Sequence, residues 1–381
     1  MNWSFRFADV AGIPIRIHLT FPLILLLSAY QWFGLTGTLS GALFGVALMV
    51  LLFVCVTLHE LGHGLVARVF GVPVREIVLL PLGGVAQITK NPEKPLHELL
   101  IAVAGPLVNV VIAAVLVVPL GLRLGPMLLT SHGLLPEEFA NTPSLNTLLV
   151  WLFTANVSLV LFNLIPAFPL DGGRMLRALL AMFMGQPRAT RAASAIGQLI
   201  AVGLGIYAVL SGHFILALVA VFIFFGAGVE TSEAQAKTVL ETLRVGDAYN
   251  KHALTLAVGD RVSRVVDYIL TSYQPDFAVM QGRSPIGIVT RNGVLEALAT
   301  QPADNLVTEI MAREYLKVDA ARTLDEVRMA MNEKGAHIAA VYDGANYLGL
   351  ISLADIAEAF TVQTFVQRHA KAQARQAQAG A

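Results

Sequence analysis

The sequence predicts a polytopic α-helical membrane protein with six transmembrane helices and a small re-entrant β element, followed by a cytoplasmic α/β domain pair. Only 14% of its 381 residues are charged and 56% are hydrophobic, whereas soluble domains carry about 25% charged residues. Several uncharged runs also reach the roughly 20 residues that cross a bilayer. The soluble part is indicated by a change to ordinary α/β composition near Thr231 and by an internal repeat beyond it.

Six apolar stretches provide the predicted spans. They lie at roughly 19–35, 41–70, 99–122, 145–167, 192–211 and 213–230. With six spans, the connections on the side of the N-terminus hold ten Lys and Arg residues, and those on the opposite side hold only Arg123. Because basic residues accumulate in cytoplasmic loops, we expect a multi-pass cell-membrane protein with both termini in the cytoplasm. The N-terminal segment lacks a small-residue cleavage site and is expected to be a retained arm leading into the first span.

Charge and cysteine content exclude several classes of function. The formal net charge is zero, so no global field favours nucleic acid as a partner. The single cysteine, Cys55, rules out an intramolecular disulfide framework and a cysteine-based zinc site. We interpret Cys55 as a small packing residue.

The stretch TLHELGHGL at 57–65 follows a long uncharged run and holds the pattern His-Glu-x-x-His. On a helix, His59 and His63 share one face and can bind the same Zn²⁺, with Glu60 placed as general base. Zinc lowers the pKa of coordinated water to about 7. The alternative is a polar cluster that caps the span at the interface, but ionisable residues inside spans are rare unless they are paired or functional.

A catalytic zinc usually has three protein ligands, so the pattern needs a partner from another segment. The best candidate is Asp171, in FNLIPAFPLDGGRMLRALL at 162–180, where prolines break the fourth span. Taken alone, Asp171 is about as well explained as the N-cap of a helix that begins near Gly173.

The segment VREIVLLPLGGVAQITK at 74–90 predicts two strands around a Pro-Leu-Gly-Gly break. An edge strand beside a metal could hold an unwound substrate by strand addition, with Gly83 and Gly84 in the clamp. A purely structural re-entrant hairpin is the alternative, because such backbone is tolerated wherever protein buries it.

The repeat in the soluble part pairs 284–298 with 346–360 at an offset of 62 residues, as from Gly287 to Gly349. Each copy predicts the order strand, helix, strand, strand, helix, and two copies are expected to pack as one unit. The Ala/Gln-rich end predicts a frayed helix or a disordered tail. The predicted divisions are a membrane domain at 1–230, a linker at 231–243, the two copies at 244–300 and 301–362, and the tail at 363–381.

The two distant motifs together resemble the site-2 protease family of intramembrane zinc metalloproteases (peptidase family M50). HELGH and NLIPAFPLDGGR correspond to the family's two conserved patterns, and FRFADVAGIPIRIHLTF, LPLGGVAQI and AGPLVNVVIA extend the likeness over most of 1–230. The resemblance implies that His59, His63 and Asp171 hold one zinc per chain and that Glu60 is the base. It also favours the substrate clamp.

Two asparagines are further candidates for the site. Asn163 and Asn109 lie at a depth where they could donate hydrogen bonds to a substrate or an oxyanion, and the resemblance favours Asn163. For Asn109, a hydrogen bond between helices is an equally good explanation.

The repeats resemble cystathionine-β-synthase (CBS) domains, whose nucleotide pattern is Gly-x-[Ile/Val]-[Ser/Thr]-x-x-Asp. The second copy has it intact, with Ser352 and Asp355, whereas the first has Thr290 but Gly293 at the Asp position. The resemblance implies ATP or another adenine nucleotide as a ligand, mainly at Asp355, and a homodimer through the CBS domains. A purely structural or dimerising pair is the alternative.

Two functions from different classes therefore remain. The first is a zinc metalloendopeptidase that performs regulated intramembrane proteolysis on a single-span or membrane-anchored protein. The second is a CBS-regulated membrane ion or metal transporter. Glu60 separates them, because a transport site can tolerate Glu60→Gln, whereas hydrolysis should collapse in that variant while zinc still binds. The connection at 123–144 is too short for an inserted PDZ domain, which would leave control to the CBS pair.

Overall fold

The computed structural model describes residues 4–81, 83–88, 92, 94–130, 142–272, 274–300 and 304–379. The chain forms two compact units, Met1–Ser232 and Glu233–Ala381. Half of the predicted 123–144 connection, residues 131–141, lies outside the described residues.

The first unit is built mainly from seven helices. They are α1 (Phe21–Thr36), α2 (Leu39–Val69), α3 (Pro95–Thr130), α4 (Leu145–Asn163), α5 (Asp171–Met184), α6 (Gln186–Ser211) and α7 (Phe214–Leu240). Among the described residues, five of these (α2, α3, α4, α6 and α7) are long and apolar enough to cross a membrane. The first apolar stretch forms the shorter α1, of 16 residues. The count of six spans remains a prediction.

A four-stranded sheet lies in the same unit. Its strands are β1 (Ser4–Val10), β2 (Ile13–His18), β3 (Val74–Leu80) and β4 (Gly83–Ile88), in the order β1-β2-β3-β4. The β1/β2 and β3/β4 pairs are antiparallel, and β2 runs parallel to β3. The hairpin predicted at 74–90 is therefore present, and β4 is an edge strand.

The N-terminal segment differs from the expected arm, because it supplies two strands of this sheet. Ile13, Ile15 and Ile17 alternate with polar or small residues, the period of a half-buried strand. Ile13 and Ile15 are buried against Leu61 of α2. The sheet is thus fixed to the helix that carries the His-Glu-x-x-His pattern.

The second unit contains two small sheets of the same design. Their strands are β5 (Thr255–Ala257), β6 (Phe277–Gln281), β7 (Ser284–Val289), β8 (Leu316–Asp319), β9 (Ile338–Asp343) and β10 (Asn346–Ser352). The helices are α8 (Val245–Ala248), α9 (Val262–Thr271), α10 (Arg291–Thr300), α11 (Val307–Ile310), α12 (Leu324–Lys334) and α13 (Leu353–Ala379). In each sheet a parallel pair is followed by an antiparallel pair, as the repeat predicts.

The two copies pack on each other through apolar strand residues. Ala278 and Ile288 of the first copy form one buried cluster with Ala340 and Leu350 of the second. Each copy by itself would leave this surface exposed, which is why the repeat occurs as a pair.

Helices continue through both segments predicted to be less regular. Helix α7 runs through most of the predicted linker and ends at Leu240, which is buried in the core of the second copy. Helix α13 extends through the predicted tail as far as Ala379.

Candidate active site

The two histidines of the His-Glu-x-x-His pattern lie one turn apart on α2. His59 and His63 are buried, with 6% and 4% of their surface exposed. Their Nε2 atoms lie 3.1 Å apart, so the imidazoles converge on one point inside the protein.

The carboxylate of Asp171 joins them from the start of α5. Its Oδ2 lies 3.2 Å from Nε2 of His59 and 3.2 Å from Nε2 of His63. The N-cap position of α5 is occupied by Leu170, so Asp171 directs its carboxylate to the imidazoles instead of capping the helix.

The donor set fits a zinc ion. The three ligand atoms lie within 4.8 Å of one another. Two zinc ligands at about 2.0–2.1 Å in tetrahedral geometry are roughly 3.3 Å apart, close to the separations just given. The outer nitrogens face oxygen atoms: Nδ1 of His59 lies 2.5 Å from Oδ1 of Asn109, and Nδ1 of His63 lies 2.7 Å from the carbonyl oxygen of Ile101. Protons on both Nδ1 atoms leave the Nε2 lone pairs for a metal.

Gly105 of α3 faces the two imidazoles and was not recognised from the sequence. A Cβ at this position would lie 2.1 Å from Nε2 of His63 and 2.7 Å from Nε2 of His59. A glycine inside an otherwise apolar span was the available signal, because such residues often mark a close approach.

Glu60 lies on the side of α2 that faces β4. Its Oε2 accepts a hydrogen bond of 3.1 Å from the main-chain amide of Ala86. A Cβ on Gly84 would lie 2.6 Å from Cγ of Glu60, so only glycine lets the strand approach this closely. The predicted clamp residues Gly83 and Gly84 therefore begin the strand that contacts the candidate base.

The two asparagines occupy different positions. Asn109 is fully buried and bonds His59 through Oδ1 and Asn156 through Nδ2, at 2.7 Å. Both ends of its amide are thus engaged in bonds between helices, one of the two interpretations considered for it.

Asn163 is half-buried at the end of α4, eight residues before Asp171. Cys55 is buried on α2, with its Sγ 3.4 Å from Nδ2 of Asn156.

An ionic cluster holds α5 in place. Arg177, six residues after Asp171, is 6% exposed and donates from Nε to Oε1 of Glu98 at 2.6 Å. It also pairs with Glu230 of α7, and its guanidinium carbon lies 5.0 Å from the ring centroid of Phe168. Burial alone would lower the pKa of Arg177, but the two carboxylates hold it above its usual range. The helix carrying Asp171 is thereby tied to α3 and α7.

In the second unit, the candidate nucleotide residues sit at equivalent turns. Oδ2 of Asp355 accepts from the amide and the hydroxyl of Ser352, at 2.7 and 2.8 Å. In the first copy, Oγ1 of Thr290 accepts from the amide of Gly293 at 3.2 Å. The turn is the same in both copies, but only the second has a carboxylate.

Comparisons with known proteins match both units. The model of peptidase family M50 matches residues 47–133 and 124–210, and the CBS domain model matches residues 307–362. The first matched range, 47–133, contains the His-Glu-x-x-His pattern, and the second, 124–210, contains Asp171.

One curated relative extends this likeness over nearly the whole chain. A zinc metalloprotease of Methanocaldococcus jannaschii is 31% identical over 364 residues, which cover 95% of this chain and 97% of the relative. The stage IV sporulation protein FB of Bacillus subtilis is 30% identical over 142 residues, covering 37% of this chain and 41% of that protein. A solved site-2 protease from Methanocaldococcus jannaschii has 38% identity and a TM-score of 0.41, covering 60% of this chain and 95% of that one. This chain is a multi-pass member of peptidase family M50, a site-2-protease-like zinc metalloprotease that carries a pair of CBS domains.

Proposed function

We propose that the protein is an intramembrane endopeptidase that hydrolyses a peptide bond in or near a transmembrane segment of a single-span or membrane-anchored protein. One observation carries this proposal: the cluster of His59, His63 and Asp171 lies on and against α2, a helix of 31 residues that is apolar enough to cross a membrane. Family membership favours this function over a CBS-regulated ion or metal transporter.

His59, His63 and Asp171 are the residues that would hold one zinc ion per chain. Zinc bound there would supply a Lewis acid for a peptide carbonyl and for water. Glu60 would take a proton from the attacking water and deliver it to the leaving amine. Its carboxylate lies one residue from His59 and is half-buried, so it can reach both the buried cluster and an incoming substrate.

The outer edge of β4 is the proposed substrate clamp. A peptide bond must leave its helix before it can be cleaved, and an unwound segment can add to an edge strand. In an antiparallel ladder the N–H and C=O of one residue point to the same side. Because the amide of Ala86 points to Glu60 and away from β3, the main-chain groups of Gly84, two residues earlier, face the same outer edge, next to Gly83. Asn163 is the proposed donor to the developing oxyanion.

We further propose that both termini lie in the cytoplasm. The bias of Lys and Arg in the loops supports this orientation. The active site would then lie toward the cytoplasmic side of α2, near Arg68 in its last turn.

The CBS pair is proposed to regulate proteolysis by binding ATP or another adenine nucleotide, and to form a homodimer. Ser352 and Asp355 are the main ligand candidates, with Thr290 in the first copy. Titration of the purified chain with ATP should show binding that Asp355→Ala weakens, whereas Gly293→Ala should leave it nearly unchanged. Equal binding by all three proteins would contradict the assignment to Asp355.

Co-expression with candidate single-span substrates tests the proposed reaction. The wild type should release a shorter product, and Glu60→Gln should release none while it retains stoichiometric zinc. Loss of zinc in His59→Ala and Asp171→Ala would support the ligand set. Full cleavage by Glu60→Gln would overturn the proposal and would favour a function that does not need a base.

A further inference from the structure

Two asparagine side chains in the membrane unit are fully buried and bonded to each other. Asn109 of α3 and Asn156 of α4 both have 0% of their surface exposed. A buried amide without partners is costly inside a span, so the direction of each hydrogen bond in this pair is constrained. The chain of bonds begins at α4 and ends at the metal cluster.

The orientation of Asn156 is set by its own helix. Its Nδ2 donates to the carbonyl oxygen of Leu152 at 2.8 Å and lies 3.4 Å from Sγ of Cys55. A carbonyl oxygen can only accept, so the NH₂ group of Asn156 must face Leu152. Its Oδ1 must then face Asn109.

Asn109 is oriented in turn by Asn156. Because Oδ1 of Asn156 only accepts, Asn109 must present Nδ2 to it, and this bond measures 2.7 Å. The carbonyl end of Asn109 is therefore directed to Nδ1 of His59, 2.5 Å away. An oxygen acceptor at that distance requires a proton on Nδ1 and leaves the lone pair on Nε2.

Asn109 by itself does not determine this tautomer. An amide that rotates by half a turn exchanges donor and acceptor with little change of shape. The reversed Asn109 would donate to Nδ1 of His59 and move the imidazole proton to Nε2, the atom that faces Asp171 and His63. That tautomer cannot bind a metal through Nε2.

We propose that Asn156 is a positioning residue for the metal centre: through Asn109 it fixes the Nδ1–H tautomer of His59 and so holds the Nε2 lone pair ready for zinc. The inference rests on the proposed zinc site. It adds a residue on α4 that touches no ligand atom, and it gives a physical reason why a polar amide occupies a fully buried position in that span.

Asn156→Leu tests this role, because leucine has the same number and branching of side-chain heavy atoms and lacks both amide functions. The Kd for zinc, measured by competition with a chelator on the purified full-length chain, should rise by about 10- to 100-fold, the usual effect of losing an outer-sphere partner. Thr147→Val is the matched control. It removes another fully buried polar group of α4, whose hydroxyl bonds the carbonyl oxygen of Thr142 and the hydroxyl of Ser144, and its zinc Kd should match that of the wild type.

A rescue experiment separates orientation from simple packing. Adding Asn109→Asp to Asn156→Leu supplies a carboxylate that accepts from His59 in either orientation, so the Kd for zinc should return to within a few-fold of the wild type. If Asn156→Leu yields no folded protein, Asn156→Ala replaces it in the same comparisons. Unchanged affinity in the single variant, or no recovery in the double variant, would overturn the inference. Failure of the zinc site itself would instead appear as a wild type whose zinc content equals that of His59→Ala.

Discussion

The carboxylate of Glu60 accepts a hydrogen bond of 3.1 Å from the main-chain amide of Ala86. This bond joins the candidate base on α2 to the outer edge of β4, the edge on which a substrate strand would pair. The N–H proposed to pair with a substrate is therefore the same N–H that bonds the candidate base.

The edge strand can be tested by removing that single N–H. Ala86→Pro should lower kcat/KM for a membrane-protein substrate by about 10-fold, since one hydrogen bond contributes about 0.5–1.5 kcal/mol and proline is tolerated on an edge. Ala86→Val keeps the amide and should retain activity. The rates of substrate cleavage by the two purified variants are compared in detergent, with the zinc content of each variant measured. Equal rates for the two variants would argue against strand addition at Ala86.

Gly105 is expected to be essential for metal binding. In Gly105→Ala the added methyl would overlap Nε2 of His63, so zinc affinity should fall by more than about 100-fold, beyond the effect of losing one outer hydrogen bond. Gly121→Ala on the same helix meets nothing within 4 Å and should bind zinc normally. Metal analysis of both purified variants provides the measurement, and a zinc-replete Gly105→Ala would mean that the cluster is more open than the structure indicates.

The ionic cluster around Arg177 should contribute strongly to stability. Arg177→Met would leave Glu98, which is 5% exposed, as an unpaired buried carboxylate, and breaking such a pair costs about 3–5 kcal/mol. Glu230→Gln should cost less, because that side chain is 27% exposed. Thermal unfolding in detergent compares them, and a double variant Arg177→Met with Glu98→Leu should recover part of the loss. Equal unfolding temperatures for wild type and Arg177→Met would contradict this assignment.

Asp276 gives the CBS pair a predictable dependence on pH. Burial raises the pKa of Asp276, and the neighbouring Asp355 raises it further, against a hydrogen bond from the amide of Arg291. The folded state thus binds a proton on Asp276 more tightly than the unfolded state does. The contribution of this proton to folding stability is complete below the ordinary pKa of about 3.9 and is lost as pH rises through the folded-state pKa. Asp276→Asn should therefore unfold at a higher temperature than wild type at pH 7 and at a similar one near pH 3.5.

Asp304 supplies a control of opposite sign for the same measurement. Hydrogen bonds from the amide and hydroxyl of Ser263 lower the pKa of Asp304. The contribution of the ionised Asp304 to folding stability is present above the ordinary pKa and is lost as pH falls through the lowered folded-state pKa. Asp304→Asn should therefore destabilise the protein at pH 7. The same direction of change in both variants would exclude these two electrostatic assignments.

Local patterns were sufficient to predict the parts of this protein that follow from chain periodicity. The pairing of His59 with His63 depends only on the rise of one helical turn, and the twin sheets of the second unit follow from the repeat. The strands at 74–90 follow from their apolar run and its glycine break. The alternation of Ile13, Ile15 and Ile17 was also present, but it was obscured by the expectation of an arm before the first span.

The tertiary structure decided the features that join distant segments. Nε2 of His63 and Oδ2 of Asp171 meet across 108 positions of sequence, and the position of Gly105 against the imidazoles depends on how α3 is turned against α2. The direction of the Asn156 amide depends on its bonds to the carbonyl oxygen of Leu152 and to Asn109 of the neighbouring helix. No local pattern contains this information, because side chains in an apolar span satisfy the same hydrophobic requirement in many rotations, and only packing between helices selects one.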